Sequence, residues 1–385
     1  MKDVIVIGGG PVGLHFARCL AADGFEIDVL EEHEFSEEPV HCTGILAPEI
    51  FQEFAIPSSV ALNELRNVRF YSPKGRIVRY RTDRTEAVVV DRSVFDRVLR
   101  DLACSNGAQV RSGIRAEKIE INETEVVVDC SRGGSRKARA CVVATGSSYT
   151  LARRLGIGFP PVFLNCAQLE LPVDRPSDVE VHLGSELAPK GFAWAVPVFR
   201  DKGCFARIGV MCDGNAAHHF ERFLARLKEW QIRTGSQVKP MTRILPLAPI
   251  RKTYGNRFLV VGDAAGFVKP TTGGGVYYGM ISAAIAARVL ADALRSDRLC
   301  ESDLSLYQDL WKERLMEEME AQLTLRLLMQ RLGDEELESI FDLWMTDGLM
   351  PLIRKTASLN QHRKLILAMT RYPAMRKILF RKALA

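Results

Sequence analysis

Apolar and polar positions along this chain change period, and each change marks an element. "DVIVIGG" is a β-branched apolar run, "PVGLHFARCLAADG" repeats with a helical period and stops at Gly24, and "FEIDVLEE" is a second apolar run. Together they make a β-α-β unit of about thirty residues, the opening of a doubly wound sheet. "VRFYSPKGRIVRY" alternates on either side of Pro73-Lys74-Gly75 and predicts a hairpin. "DRSVFDRVLRDLACSNGA" predicts a capped helix, while "EKIEI", "EVVVDC" and "ARACVVATG" predict strands, the last ending at Gly146. From residue 160 to residue 245 short strands are broken by prolines, with one helix predicted over "HHFERFLARLKEWQIRTG". "RFLVV" is a further strand, and beyond "GDAAG" the pattern is helical to the end.

These elements predict an α/β fold with three parts. A doubly wound, Rossmann-like domain takes residues 1–64, 84–160 and 246–298. An antiparallel-sheet domain, residues 65–83 and 161–245, is inserted into it, and residues 299–385 form a helical C-terminal region.

Composition narrows the setting. No run of eighteen apolar residues appears, so no membrane-spanning helix is expected. The nine cysteines are scattered without a C-x-x-C pair, which suits a reducing cytoplasm and argues against a disulfide frame or a metal site. The net charge of +5 conceals an asymmetry: from Pro351 to Ala385 there are nine Lys or Arg and no acid, so the rest of the chain is slightly acidic. That tail, which also carries Leu, Ile, Met and Phe, points to peripheral contact with an anionic membrane. A solvated terminal helix is the plainer alternative. No stacking platform or recognition motif accompanies the tail, which argues against nucleic acid.

The candidate chemistry begins at Gly8-x-Gly10-x-x-Gly13, which follows a strand and opens a helix at Pro11. The first glycine permits the tight turn, the second lets a pyrophosphate approach the backbone, and the third lets the helix pack on the strand. Glu31 stands at the end of the second strand, where a carboxylate can accept from ribose hydroxyls, and the adjacent Glu32 could exchange roles with it. NAD and FAD share this unit. The stretch "GDAAGFVKPTTGGGVYYG", Gly262 to Gly279, distinguishes them. It ends a strand with an acid, Asp263, and then leads three consecutive glycines into a helix. Such a helix N-terminus can approach a flat ring edge without intervening side chains and stabilise negative charge there, as on the edge of a reduced flavin.

With these motifs the chain resembles the geranylgeranyl reductases, FAD enzymes within the p-hydroxybenzoate hydroxylase-like flavoprotein fold. The resemblance runs from Met1 to about Met345. It rests on the glycine motif with Glu31, Cys42-Thr-Gly44, "VDRSVFDRVLRDLA", "VVATG", "GFAWAVP" and "GDAAGFVKPTTGGGVYYG". It implies that Arg92 helps hold FAD and that Asp263 contacts the pyrophosphate–ribityl region. Gly273, Gly274 and Gly275 would bring the helix to the isoalloxazine, with Pro11, Ala144, Gly146, Gly262 and Pro270 completing the cofactor set. Cys42 and Gly44 would lie beside the flavin, with Cys42 the candidate catalytic thiol. His41 could also donate a proton. The segment from Phe192 to Pro197 is similar to the family's Tyr-x-Trp-x-Phe-Pro, with Phe192 and Val196 replacing Tyr and Phe. Where a Gly-x-Gly pair would follow, Gly209 and Met211 stand.

The implied reaction is reduction of isolated C=C bonds in a polyprenyl chain of an isoprenoid lipid. An unactivated alkene offers little polarity, so binding would come from burying the apolar chain, with Phe192, Trp194, Tyr277 and Tyr278 as cavity walls. Phe192 and Trp194 are equally readable as strand core, and the tyrosines as helix packing. No second dinucleotide fingerprint remains, so the electron donor is either transient NAD(P)H or a ferredoxin-like protein. Two other classes share the fold: flavin monooxygenases or halogenases, and prenyl-lipid carriers without chemistry. The missing first Trp of the halogenase motif, at Phe192, counts against the former, and the intact glycine motifs count against the latter.

Overall fold

In a computed structural model, residues 1–34, 42–233, 239–346 and 349–380 are described; His41 lies outside them. The chain divides into two compact units. The first comprises 1–39, 92–163 and 246–319, and the second 40–91, 164–245 and 320–385. Relative to the sequence-based division, residues 40–64 and 84–91 go with the second unit, and the C-terminal region is split after Met319. The reason is strand pairing: Ile45–Leu46 and Ala61–Leu65 both pair with Ala87–Val90 in a separate small sheet.

The first unit is built on an eight-stranded sheet. Its central order is Tyr254–Gly255, Phe258–Val260, Ser135–Val143, Lys2–Ile7, Ile27–Leu30 and Gln109–Arg111. From Phe258–Val260 to Gln109–Arg111 the neighbours are parallel. Both faces of a parallel sheet are covered, so its strands read as continuous apolar runs, and Val4, Ile5, Val6, Val29, Val142 and Leu259 are fully buried. The Ser135–Val143 strand is long enough to serve two partners. Its first half pairs antiparallel with Val126–Cys130, which pairs in turn with Ala116–Ile121, and its end pairs parallel with Phe258–Val260. The helices Pro11–Ala22, Arg92–Ser105 and Val276–Arg295 pack together over this sheet. Val276–Arg295 is long and apolar enough to cross a membrane, but most of it is buried as a core helix; the count of consecutive apolar residues missed it.

The second unit centres on a seven-stranded sheet in the order Met241–Pro246, Phe163–Pro172, Gly203–Cys212, Phe192–Arg200, Val179–His182, Asn67–Tyr71, Ile77–Arg81. The hairpin around Pro73-Lys74-Gly75 forms as the alternation predicts. One face of this sheet, with Ala193, Ala195, Ile208 and Val210, packs on Phe220, Phe223 and Trp230. The helix expected over "HHFERFLARLKEWQIRTG" is only Ala216–Leu224, followed by a 3₁₀ turn at Lys228–Trp230 and a left-handed Gln231. The break turns Trp230 into the core, where it is fully buried. Helices Asp334–Thr346, Leu349–Thr356, Arg363–Arg371 and Pro373–Phe380 close the unit around Ile340, Leu349, Met375 and Leu379.

Candidate functional site

Four parallel strands of the first unit end at one edge, and their first residues beyond the sheet continue its ladder. Gly8 donates to Leu30 O at 2.8 Å, Glu31 to Arg111 O at 2.9 Å, Ala144 to Ile7 O at 2.8 Å, and Val261 to Val143 O at 3.0 Å. This lines up Gly8–Gly10, Glu31, Ala144–Gly146 and Gly262–Asp263 along the carboxyl ends of the strands, where open α/β sheets bind ligands. The glycines are fitted to their neighbours. Gly8 takes φ +109°, and a Cβ there would meet Ala144 O at 2.3 Å. A Cβ on Gly13 would meet Gly8 O at 2.1 Å, whereas one on Gly10 would meet nothing within 4 Å. The turn is therefore tight beneath and open above, the shape a pyrophosphate needs. Pro11 opens the helix, and no side chain caps its N-terminus, which leaves the first-turn amides for an anion.

Glu31 and Glu32 separate clearly. Glu31 accepts from the Gly9 amide at 2.6 Å and from the His33 amide at 3.0 Å, and its side chain is mostly buried. Glu32 is exposed, 3.7 Å from the His33 ring. His33, whose ring lies 3.0 Å from Glu31, escaped the sequence reading.

The two glycine motifs meet at Val12, inside the first of them. A Cβ on Gly262 would come within 3.1 Å of Val12, and one on Gly279 within 2.5 Å of it. Ser282 ties the joint, accepting from the Gly262 amide at 3.2 Å and donating to Gly279 O at 2.6 Å. Gly273, Gly274 and Gly275 then bring the helix Val276–Arg295 in under the Asp263 carboxylate: a Cβ on Gly275 would lie 2.4 Å from Asp263 Oδ1. No side chain caps this N-terminus either. The turn preceding it is closed by Gly273 donating to Lys269 O at 2.8 Å and Lys269 to Gly274 O at 3.1 Å, with Pro270 buried.

Asp263 keeps some exposed surface, yet its carboxyl is enclosed enough that burial pushes its pKa up to about 6, with Arg92 pulling the other way. Arg92 itself pairs with Asp96 at 3.0 Å. Tyr149 donates its hydroxyl to Asp263 O at 3.2 Å. Tyr277 and Tyr278, in the first turn of the helix, are both buried. The fit to FAD thus stands on close packing beneath the turns that excludes a Cβ at Gly8, Gly13 or Gly275, on the open side at Gly10, on two uncapped helix N-termini and on an acid at each end.

Cys42, Gly44, Phe192 and Trp194 lie in the second unit. Register puts Phe192 opposite Met211, Trp194 opposite Gly209, and Val196 opposite Arg207, all on the sheet face away from Phe220. On the next strand Cys166, Gln168 and Glu170 stand opposite Met211, Gly209 and Arg207, on that same face. Gly209 leaves room for the Trp194 indole, since a Cβ would lie 2.2 Å from its Cζ2. Phe192 and Trp194 rings are 5.7 Å apart, and the Trp194 Nε1 is buried without a partner among the described residues. The Cys42–Gly44 loop is held on this face: Thr43 donates its hydroxyl to Gln168, and its carbonyl accepts from Arg207 at 2.7 Å. The Gly44 amide donates to Cys42 Sγ at 3.3 Å. Cys166 is pushed up to about 12 by burial, with Cys42 adding to the rise. Cys166, Gln168, Glu170 and Arg207 were not singled out from sequence, because only strand register brings them to one face.

The chain's similarities to known proteins fit this geometry. A family model described as lycopene cyclase protein matches residues 3–349. A digeranylgeranylglycerophospholipid reductase of Methanocaldococcus jannaschii is 29% identical over 355 residues, covering 88% of this chain and 89% of that protein. Among solved structures, a geranylgeranyl bacteriochlorophyll reductase-like protein from Thermoplasma acidophilum superposes with a TM-score of 0.85 at 24% identity, covering 100% of this chain and 99% of the other. The halogenase PltM in complex with FAD superposes at 0.68 and 17% identity over 98% of this chain and 85% of its own. The chain belongs to the lycopene cyclase protein family and, within it, with the geranylgeranyl reductases, FAD-dependent oxidoreductases.

Proposed function

We propose that this protein reduces isolated C=C bonds in the polyprenyl chain of a geranylgeranyl-type lipid. The observation that carries the reading is the junction at Val12, which sets both glycine motifs around the carboxyl ends of one parallel sheet. When bound there, FAD supplies the hydride. The chain's own residues do the rest. Gly8, Gly10 and Gly13 with the amides after Pro11 hold the pyrophosphate, and Glu31 takes the ribose hydroxyls. Asp263 meets the ribityl region, and Gly273 to Gly275 admit the ring edge to the uncapped helix N-terminus. Phe192, Trp194, Tyr277 and Tyr278 bury the substrate, at about 25 cal/mol per Å² of apolar surface. Cys42 gives a proton from Sγ to the second alkene carbon. Electrons arrive from NAD(P)H or a ferredoxin-like protein. The exposed cations Arg354, Lys355, Lys364, Arg371, Arg376 and Lys377 hold the protein to an anionic membrane where such a lipid resides.

The test is anaerobic. The flavin-loaded protein is reduced with dithionite and given a digeranylgeranyl phospholipid or a menaquinone, and the lipids are read by mass spectrometry. Gain of hydrogen pairs on the prenyl chain is the expected result. Unchanged lipids with reduced flavin still bound would overturn the reading in favour of oxygen-dependent chemistry.

A further inference from the structure

We infer that Arg207 is a positioning residue for the Cys42–Gly44 loop, setting where the Cys42 thiol points; this rests on Cys42 being the proton donor. Arg207 is 1% exposed, in the interior of the strand Gly203–Cys212. Burying a guanidinium is costly before its partners are counted, enough that apolar replacements of buried ion pairs are often neutral or stabilising. Its partners say what it is for. Nε donates to Glu170 at 2.7 Å, and Nη1 donates to Thr43 O at 2.7 Å and Val90 O at 3.0 Å. Neither carbonyl belongs to its own sheet: one is the middle of Cys42–Gly44, the other the end of Ala87–Val90. Glu170 is gripped in turn by Arg200 at 2.8 Å, and Arg200 pairs with Asp91. Two acids and two guanidiniums alternate and leave the group neutral.

The loop is therefore fixed at one residue by two bonds: the Thr43 hydroxyl to Gln168 and the Thr43 carbonyl to Arg207. Gln168 and Glu170 lie two residues apart on one strand face, with Cys166 the next position in that row. Arg207 Nη2 is buried without an acceptor among the described residues. A donor left unspent makes Arg207 a poor choice for stability alone. A lysine in its place has one point charge and cannot meet Glu170 and two carbonyls in one plane.

The experiment compares wild-type, Arg207→Met and Arg207→Lys proteins, flavin-loaded and full length. It reads iodoacetamide labelling of Cys42 by peptide mass spectrometry, with the exposed Cys104 as the internal reference, alongside kcat and KM for the prenyl lipid. We expect both variants to fold with flavin, the Cys42 labelling rate to shift about fivefold or more relative to Cys104, and kcat to fall about tenfold with KM changed less than about twofold. Glu170→Gln, which leaves the arginine in place but removes the carboxylate that orients it, should shift labelling in the same direction and less far; it serves if Arg207→Met does not fold. Folded variants whose Cys42 labelling and kcat match the wild type would overturn the inference. Shifted labelling in a protein whose wild type reduces no prenyl chain would uphold the positioning role and overturn the proposed reaction instead.

Discussion

Asp263 sits where a carboxylate resists charge. Its pKa is raised in the fold from 3.8 to about 6, so the folded state keeps a proton that the unfolded chain has already lost. The stability it lends is full below about pH 4 and is lost as pH rises through about 6. Flavin-free Asp263→Asn protein should therefore gain melting temperature relative to wild type at pH 7 and little at pH 4, and thermal scans at both values check it. A Cβ added at Gly275 would lie 2.4 Å from the same carboxylate, so Gly275→Ala should displace it and cost about 1–3 kcal/mol, with bound flavin lost. The ratio of flavin to protein absorbance after purification measures this. At this scale the sequence was legible wherever geometry is local. The spacing of Gly8, Gly10 and Gly13 carries its own explanation. The choice between Glu31 and Glu32 did not, because both lie just beyond the strand Ile27–Leu30 and only the chain's turn, which brings the Gly9 and His33 amides to Glu31, selects one.

Strands and helices were legible where their periods are strong. The opening β-α-β unit and the hairpin at Pro73 stand where the apolar pattern puts them. The helix after Ala216 stops at Leu224 because Trp230 is pulled into the core, a tertiary demand that local periodicity does not register. The strand Phe192–Arg200 was legible as a strand, but its opposition to Gly209 required the register. That pairing makes a prediction of its own. Gly209→Ala puts a methyl 2.2 Å from the Trp194 ring, so the indole must turn, at about 1–3 kcal/mol. A shift in tryptophan emission with flavin content unchanged is expected, together with a lower kcat/KM for the prenyl lipid.

Across the whole molecule, charge is sorted along the chain. Nine cations and no acids fall in the last thirty-five residues, from Pro351 to Ala385, and each cation near an anionic surface adds about 1 kcal/mol at low salt. The protein should sediment with phosphatidylglycerol vesicles in 50 mM salt and leave them in 500 mM, concentrations on either side of the roughly 0.1 M at which screening reaches about 10 Å. Exchanging the exposed Arg354, Lys355, Lys364, Arg371, Arg376 and Lys377 for glutamine should abolish sedimentation at either concentration. The division into two units was only partly legible. Residues 40–64 look like a continuation of the first domain until Ala61–Leu65 finds Ala87–Val90, a pairing across some twenty residues that no local signal announces.

The junction at Val12 also sets an order of events. Residues 1–13 leave the ribosome long before Gly262 and Gly279, so the groove they form has no second wall until those glycines have been made. The strands that flank Lys2–Ile7 arrive in the same staggered way, Ile27–Leu30 at once and Ser135–Val143 much later. The strand Lys2–Ile7 thus waits with one edge unpaired, and non-local pairing of this kind is slow and exposed to aggregation. Flavin cannot shorten that wait, because its cradle is completed only by the residues that end it.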